Sequence, residues 1–196
     1  DMLSTGANIP EEVSDVYYNR KFDEKHTEAM RDFHNLVVKR RLITDVSKKG
    51  DTLIDFAVGK GGDLAKWSAA RLSFVFGIDV AQDNLENKID GACARYINFR
   101  RDHRYVPDAL FVNGDSGRNI RDGAAINSEK QREITYQVFG SKPKAEKYGK
   151  GVEKSYGRGK HGFDVSVCMF ALHYFFKDAQ TLENFVKNVS ECTKTG

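Results

Sequence analysis

Apolar positions along this chain change period several times, and each change marks a new element. Between Thr27 and Val46, the residues Phe33, Leu36, Val37, the stem of Arg40, and Ile43 recur at helical spacing. That spacing predicts a helix laid against the outside of a sheet. On such a helix Asn35 and Lys39 share a face one turn apart. Beyond it, an apolar run predicts a buried strand at 52–57, then a helix near 63–71, a strand from Phe74 to Asp79, a long helix near 83–101, and a strand from Ala109 to Asn113. A strand from Phe163 to Met169 and a helix from about Asp178 to Glu191 complete the series. Alternation of this kind predicts an α/β fold, a mostly parallel sheet with helices on both faces. Residues 1–24 carry little periodicity and are expected as a linker or irregular lead-in. The domain is expected over 25–196, incomplete at its C-terminal end, because the chain reaches Gly196 where a further strand would follow.

Composition narrows this picture in two places. With 196 residues, 40% hydrophobic and 30% charged, the chain suits one compact domain. It contains no run of 18 apolar residues and no signal-like start, so no membrane and an intracellular setting are expected. Cys93, Cys168 and Cys192 are odd in number and far apart, which fits neither a zinc site nor a disulfide scaffold, and no metal is expected. The net charge of +3 is uneven: from Glu129 to Gly162 there are nine Lys or Arg against four Glu. This stretch reads as a basic insertion at about 121–162. With Tyr136, Tyr148 and Tyr156 interleaved, it suits either an arm on an RNA backbone or a solvated surface.

The segment Leu53-Ile54-Asp55-Phe56-Ala57-Val58-Gly59-Lys60-Gly61-Gly62-Asp63-Leu64 reads as a buried strand running into a glycine-rich, ligand-binding turn. It matches neither the G-x-G-x-x-G dinucleotide fingerprint nor the phosphate-cradling G-x-x-x-x-G-K-[ST] loop. Carboxylates at Asp55 and Asp63 would repel a pyrophosphate. They suit a ligand that carries an ammonium and a ribose but no phosphate, and S-adenosylmethionine is such a ligand.

Two further strands finish at polar residues, Asp79 after one and Asn113-Gly114-Asp115-Ser116 after the other. In an open parallel sheet these ends converge on one crevice. Asp79, some 20 residues beyond the glycines, is placed to accept ribose hydroxyls, and Asp115 or Ser116 to face an adenine amino group. The last strand end, Met169 to Phe176, is aromatic, and there the polar tips of His173 and Tyr174 point to an acceptor site.

Taken together, Asp55 to Trp67, the upstream Asn35 and Lys39, Ala94-Arg95-Tyr96, Gly114-Asp115-Ser116 and Phe170-x-x-His173-Tyr174-x-Phe176 resemble the mRNA cap guanine-N7 methyltransferases. The flavour is that of the methyltransferase domain in capping enzymes of large DNA viruses. The resemblance implies a Rossmann-like, S-adenosylmethionine-dependent fold and methyl transfer to N7 of the 5′ cap guanine. It implies Lys39 at the cofactor carboxylate, Asp79 at the ribose, Asp115 and Ser116 at the adenine, and the backbone around Ala57 and Gly59 at the methionine part. Asp55, Asp63, Met169 and Tyr174 complete the expected cofactor site. Asn35, Lys60, Lys66 and Arg95 would hold the triphosphate bridge and nearby groups, with His173 and Tyr174 against the guanine. Two positions depart from the family pattern: Ala57 stands where Gly is usual, and Met169 where Gln is usual.

N7 already offers a lone pair, so no acid–base residue is expected and catalysis would rest on proximity, orientation and the field of the site. Expected partners are capped mRNA, with other capping-enzyme domains or a stimulatory subunit as a further option. The implied setting is a cytoplasmic viral factory or virion, or otherwise the nucleus. A non-catalytic module that binds cofactor, RNA or a partner, or a methyltransferase for another acceptor, remain the alternatives.

Overall fold

The structure, a computed structural model, describes residues 24–195; the expected lead-in lies outside the described residues except for its last position. Four strands form one sheet: β1 (Thr52–Asp55), β2 (Phe74–Asp79), β3 (Asp108–Asn113) and β4 (Val165–Val167). Their order is β3-β2-β1-β4, and every pairing is parallel. Eight α-helices are described: α1 (Glu24–Asp32), α2 (Arg40–Thr44), α3 (Leu64–Ala69), α4 (Gln82–Glu86), α5 (Ala92–Asp102), α6 (Glu129–Phe139), α7 (Lys150–Lys154) and α8 (Ala179–Cys192).

All residues of β1 and β2 are buried, as befits parallel strands covered on both faces. Alternate side chains divide between two cores. Ile54, Phe74, Phe76 and Val112 pack with Val138 and Phe139 of α6 and Phe185 and Cys192 of α8. Leu53 and Val75 pack on the opposite face with Ile43 of α2, Trp67 of α3, Leu85 of α4 and Ala92 of α5. The expected helices on both faces are therefore present.

Two predicted helices depart from the sequence expectation. The first helix does not lay a continuous stripe on the sheet: Ile43 is buried, whereas Phe33, Leu36 and Val37 are exposed. Between α1 and α2 the backbone is π-helical over Phe33–Lys39. Its i→i+5 bonds advance each residue by a different angle, so a stripe read at 3.6 residues per turn does not stay on one side. The predicted helix at 83–101 is split into α4 and α5. The break falls where Gly91 passes so close to Asn87 that a Cβ there would lie 2.6 Å from its backbone N and O.

The basic segment at 121–162 is folded into the body. Ser128 caps α6 by accepting from Gln131 N at 3.2 Å, and Gly140 closes it in the left-handed region at φ 62°. Thr135, Gln137, Val138 and Phe139 are buried on this helix while the lysines of the segment stay outside. Phe139, rather than the interleaved Tyr136, Tyr148 and Tyr156, joins the core here, edge-on to Phe76.

Candidate functional site at the carboxyl edge of the sheet

Because all four strands point the same way, their C-terminal ends form one rim, and the polar strand ends named from the sequence meet there. Asp55 ends β1 with 2% of its surface exposed. One carboxylate oxygen accepts Ala57 N at 3.0 Å. Burial, with the neighbouring Asp63 and Asp79 carboxylates adding to it, pushes its pKa up to about 7; the Ala57 N–H and the Lys39 ammonium pull the other way. Burial outweighs the neighbouring carboxylates here, so Asp55 gives up its proton only where something stabilises the charge it leaves behind.

Asp79 ends β2 and fastens the glycine turn. Its Oδ2 accepts Gly59 N at 2.7 Å, and its Oδ1 accepts Ala81 N and Asn84 Nδ2, both at 3.0 Å. Burial also raises its pKa, against the pull of these three donors. A carboxylate offers about four lone-pair positions, so one remains open for a hydroxyl. Gly59 and Gly61 take φ of 54° and 68°, the left-handed region that glycine enters without a Cβ penalty. The turn packs on the start of α5, where a Cβ on Gly61 would sit 3.4 Å from that of Ala92.

Asp63 is a bridge between two lysines. Lys39 Nζ lies 3.3 Å from its Oδ2 and Lys66 Nζ 2.7 Å from its Oδ1. Lys66, expected on the surface of a triphosphate site, is largely buried and also donates to the Gly62 carbonyl at 3.3 Å. Lys60 pairs with Asp90 at 2.8 Å. Arg95 is exposed on α5, one turn beyond the contact with the glycine loop. Lys60 and Arg95 therefore share one corner, and Lys39, Lys66 and the half-buried Asn35 another.

After β3, Asp115 uses one carboxylate oxygen to cap Gly117 N at 2.8 Å. The Ser116 hydroxyl is committed inward, donating to the Phe56 carbonyl at 2.8 Å. A Cβ on Gly114 would lie 2.7 Å from the Ala125 carbonyl oxygen, which is why the chain can pass so closely there. Beyond β4, Met169 packs against the core on the Trp67 side, Phe170 sits at φ 60°, and His173 and Tyr174 are exposed on a 3-10 turn, Leu172–Phe176. Their rings lie 4.0 Å apart. Phe170 touches the π-helical segment, its ring 4.8 Å from that of His34 and 5.4 Å from Lys39 Nζ.

Two supporting residues, Asn84 and Asn188, escaped the sequence reading. Asn84 steadies Asp79. Asn113, named as a strand end, donates to the Asp79 and Val80 carbonyls at 3.0 and 2.9 Å. Asn188, fully buried on α8, donates to the Ser116 and Arg118 carbonyls and accepts Ile120 N. The available signal was a polar residue inside an apolar stripe, since Asn188 falls between Phe185 and Cys192 on one helical face. Burial pushes the Cys168 and Cys192 thiols up to about 12, so both stay protonated.

An open parallel sheet with a glycine turn after β1 and carboxylates at the ends of β1 and β2 defines an α/β protein of the Rossmann-like class. A family model described as the mRNA (guanine-N(7))-methyltransferase domain matches residues 7–196, and the chain belongs to that family. It is 29% identical over 186 residues to the probable mRNA-capping enzyme of Acanthamoeba polyphaga mimivirus, covering 92% of this chain and 15% of that protein. It is 26% identical over 196 residues to the mRNA cap guanine-N(7) methyltransferase of Eremothecium gossypii, covering 96% of this chain and 37% of that protein. With the enzyme of the same name from Aspergillus niger it shares 32% identity over 185 residues, 88% of this chain and 28% of that one. The chain thus spans well under half the length of these relatives.

Proposed function

We propose that this chain is the cofactor-binding core of an mRNA cap guanine-N7 methyltransferase that uses S-adenosylmethionine. The observation that carries the reading is Asp55: a buried carboxylate with a pKa near neutrality, beside two more carboxylates at the rim. Such a rim is stabilised by a cationic, phosphate-free ligand. The residues present fit the cofactor on chemical grounds, with cation-seeking carboxylates at the centre and an ammonium at the edge.

When bound, the cofactor supplies an electrophilic methyl group. The chain's own residues hold and orient. Lys39 spends one of its three protons on Asp63, leaving donors for a ligand carboxylate. Asp79 has one open acceptor position for a ribose hydroxyl, and the Asp115 oxygen turned from Gly117 offers an acceptor for an adenine amino group. Ser116 contributes by fixing the Phe56 carbonyl. The narrow turn around Ala57 and Gly59, with Met169 beside β4, bounds the methionine part. Lys60 and Arg95 on one side, and Lys66 on the other, bring positive charge toward a polyanionic bridge, to which Asn35 adds a neutral amide donor. His173 and Tyr174 offer ring faces for a guanine. N7 needs no base, so these residues accelerate transfer by placement and by their fixed field.

The acceptor in this reading is capped mRNA, and the similarity to a viral capping enzyme of which the chain spans 15% supports further capping domains or a stimulatory subunit as partners. In this reading the protein works where capped transcripts are made, a viral factory, a virion or a nucleus. The test is transfer of a labelled methyl group from S-adenosylmethionine to unmethylated capped RNA by the full-length protein. N7-methylated cap is the expected product. Binding of both ligands without transfer, or methylation at another atom, would overturn the reading.

A further inference from the structure

The loops that enter the four strands gather at the opposite rim, and they are basic. The loops before β1, β2, β3 and β4 carry Lys48 and Lys49, Arg71, Arg104, and Arg158 and Lys160 respectively. Hydrogen bonds hold these loops side by side. Gly50 N donates to the Arg71 carbonyl at 2.9 Å and Ser73 N to the Asp51 carbonyl at 2.8 Å. The Tyr105 hydroxyl donates to the Leu72 carbonyl and Arg158 to the Ser73 hydroxyl, both at 2.5 Å.

The carboxylates among these loops are already engaged. Asp51 accepts Lys48 N at 2.7 Å, Asp108 pairs with Lys154 at 2.7 Å, and Asp164 accepts Thr52 N and pairs with Lys194 at 2.6 Å. Lys48, Lys49, Arg104 and Lys160 are exposed and have no ion pair among the described residues. An exposed aromatic lies within the patch, Tyr105, with the Arg71 guanidinium 5.0 Å from its ring centroid. Unpaired cations around a stacked aromatic form a surface suited to a single-stranded phosphate backbone with accessible bases.

We propose that this amino-terminal rim is a second RNA contact, which binds the transcript body at a distance from the carboxyl rim. Six residues of β2 at about 3.3 Å each separate the two rims by roughly 20 Å. Of the basic segment, expected either as an arm on an RNA backbone or as a solvated surface, Arg158 and Lys160 lie at this rim, because α6 leads the chain back toward the strand starts. The identity of the polyanion rests on the proposed function, but the test reads RNA binding directly.

The variant K48A/K49A/R104A/K160A removes four cations that hold no fold contact through a carboxylate. The probe is an uncapped single-stranded RNA of about 20 nucleotides, titrated by fluorescence anisotropy at several salt concentrations. At about 0.7 per phosphate, the log–log salt slope is expected to become shallower by about three, with affinity at least tenfold weaker and an unchanged unfolding midpoint. Parental affinity and slope would overturn the proposal. So would weakening confined to a K60A/R95A variant, or an acidic peptide that displaces RNA from the carboxyl rim alone. Loss of RNA binding with methyl transfer to short caps intact separates this contact from the catalytic reading; RNA binding without any methyl transfer refutes that reading and leaves this one standing.

Discussion

Replacing Asp55 by Asn tests the electrostatics on which the cofactor reading rests. An unfolded aspartate titrates near 3.9. In the folded chain Asp55 titrates at about 7, chiefly because burial disfavours its charge. The sign follows from the proton count. Between pH 4 and 7 the native state keeps a proton that the unfolded state has released, so stability from this group is complete below pH 4 and is lost as the pH climbs through 7. A rise from 3.8 to about 7, at 1.36 kcal/mol per unit, amounts to about 4 kcal/mol.

The amide introduced by D55N does not titrate, and its carbonyl oxygen can still accept Ala57 N, while its NH2 group needs a partner at a cost of about 1–3 kcal/mol. Urea unfolding of parent and D55N at pH 4, 6 and 8 should show the variant the weaker at pH 4. Its stability relative to the parent should then rise by about 4 kcal/mol by pH 8. Asp63, Asp79, Lys39 and Cys168 surround the site in both proteins, so their contributions largely cancel in the difference. A flat difference profile would refute the claim that a destabilised carboxylate waits at the rim. In the parent, affinity for S-adenosylmethionine should rise as Asp55 ionises near pH 7; in D55N that rise should be lost, leaving only the titration of the ligand's own amino group.

Three further outcomes follow from the same geometry. N188A strips three hydrogen bonds from the Ser116–Ile120 loop inside the core, and chemical denaturation should show a loss of about 3 kcal/mol. G114A forces a Cβ to within 2.7 Å of the Ala125 backbone oxygen, so the loop must shift; calorimetry should show about tenfold weaker cofactor binding or more, with a lowered Tm. D79A frees Gly59 N, Ala81 N and Asn84 together, and cofactor affinity should fall by about two orders of magnitude while RNA binding at the amino-terminal rim holds.

Much of this was legible because parallel sheets put their information at strand ends. Asp55, Asp79 and Asp115 are separated in sequence yet converge simply because β1, β2 and β3 run the same way, and β2 falls on the predicted Phe74 to Asp79. What stayed hidden was tertiary. The π-helical turn at Phe33–Lys39 follows from no local propensity, and the inward use of Ser116 depends on a Phe56 carbonyl 60 positions away. The burial of Lys66 was likewise not legible: it has the residue type of an exposed surface cation, but the i,i+3 geometry with Asp63 draws it beneath the turn. The basic segment read as surface because its nine Lys or Arg outweigh four Glu between Glu129 and Gly162, although Val138 and Phe139 are buried in the core.

Phe170 gives the rim a mechanical property. A phenylalanine in the left-handed region costs about 1–3 kcal/mol, and here its ring is clasped between His34 and Lys39. The end of β4 and the first helical segment are therefore latched to each other across the mouth of the site. Lys39, which pairs with Asp63, lies against this ring, and His173 and Tyr174 follow it three and four residues along the chain. If the proposed function holds, one aromatic catch thus ties the cofactor's tail to the acceptor wall.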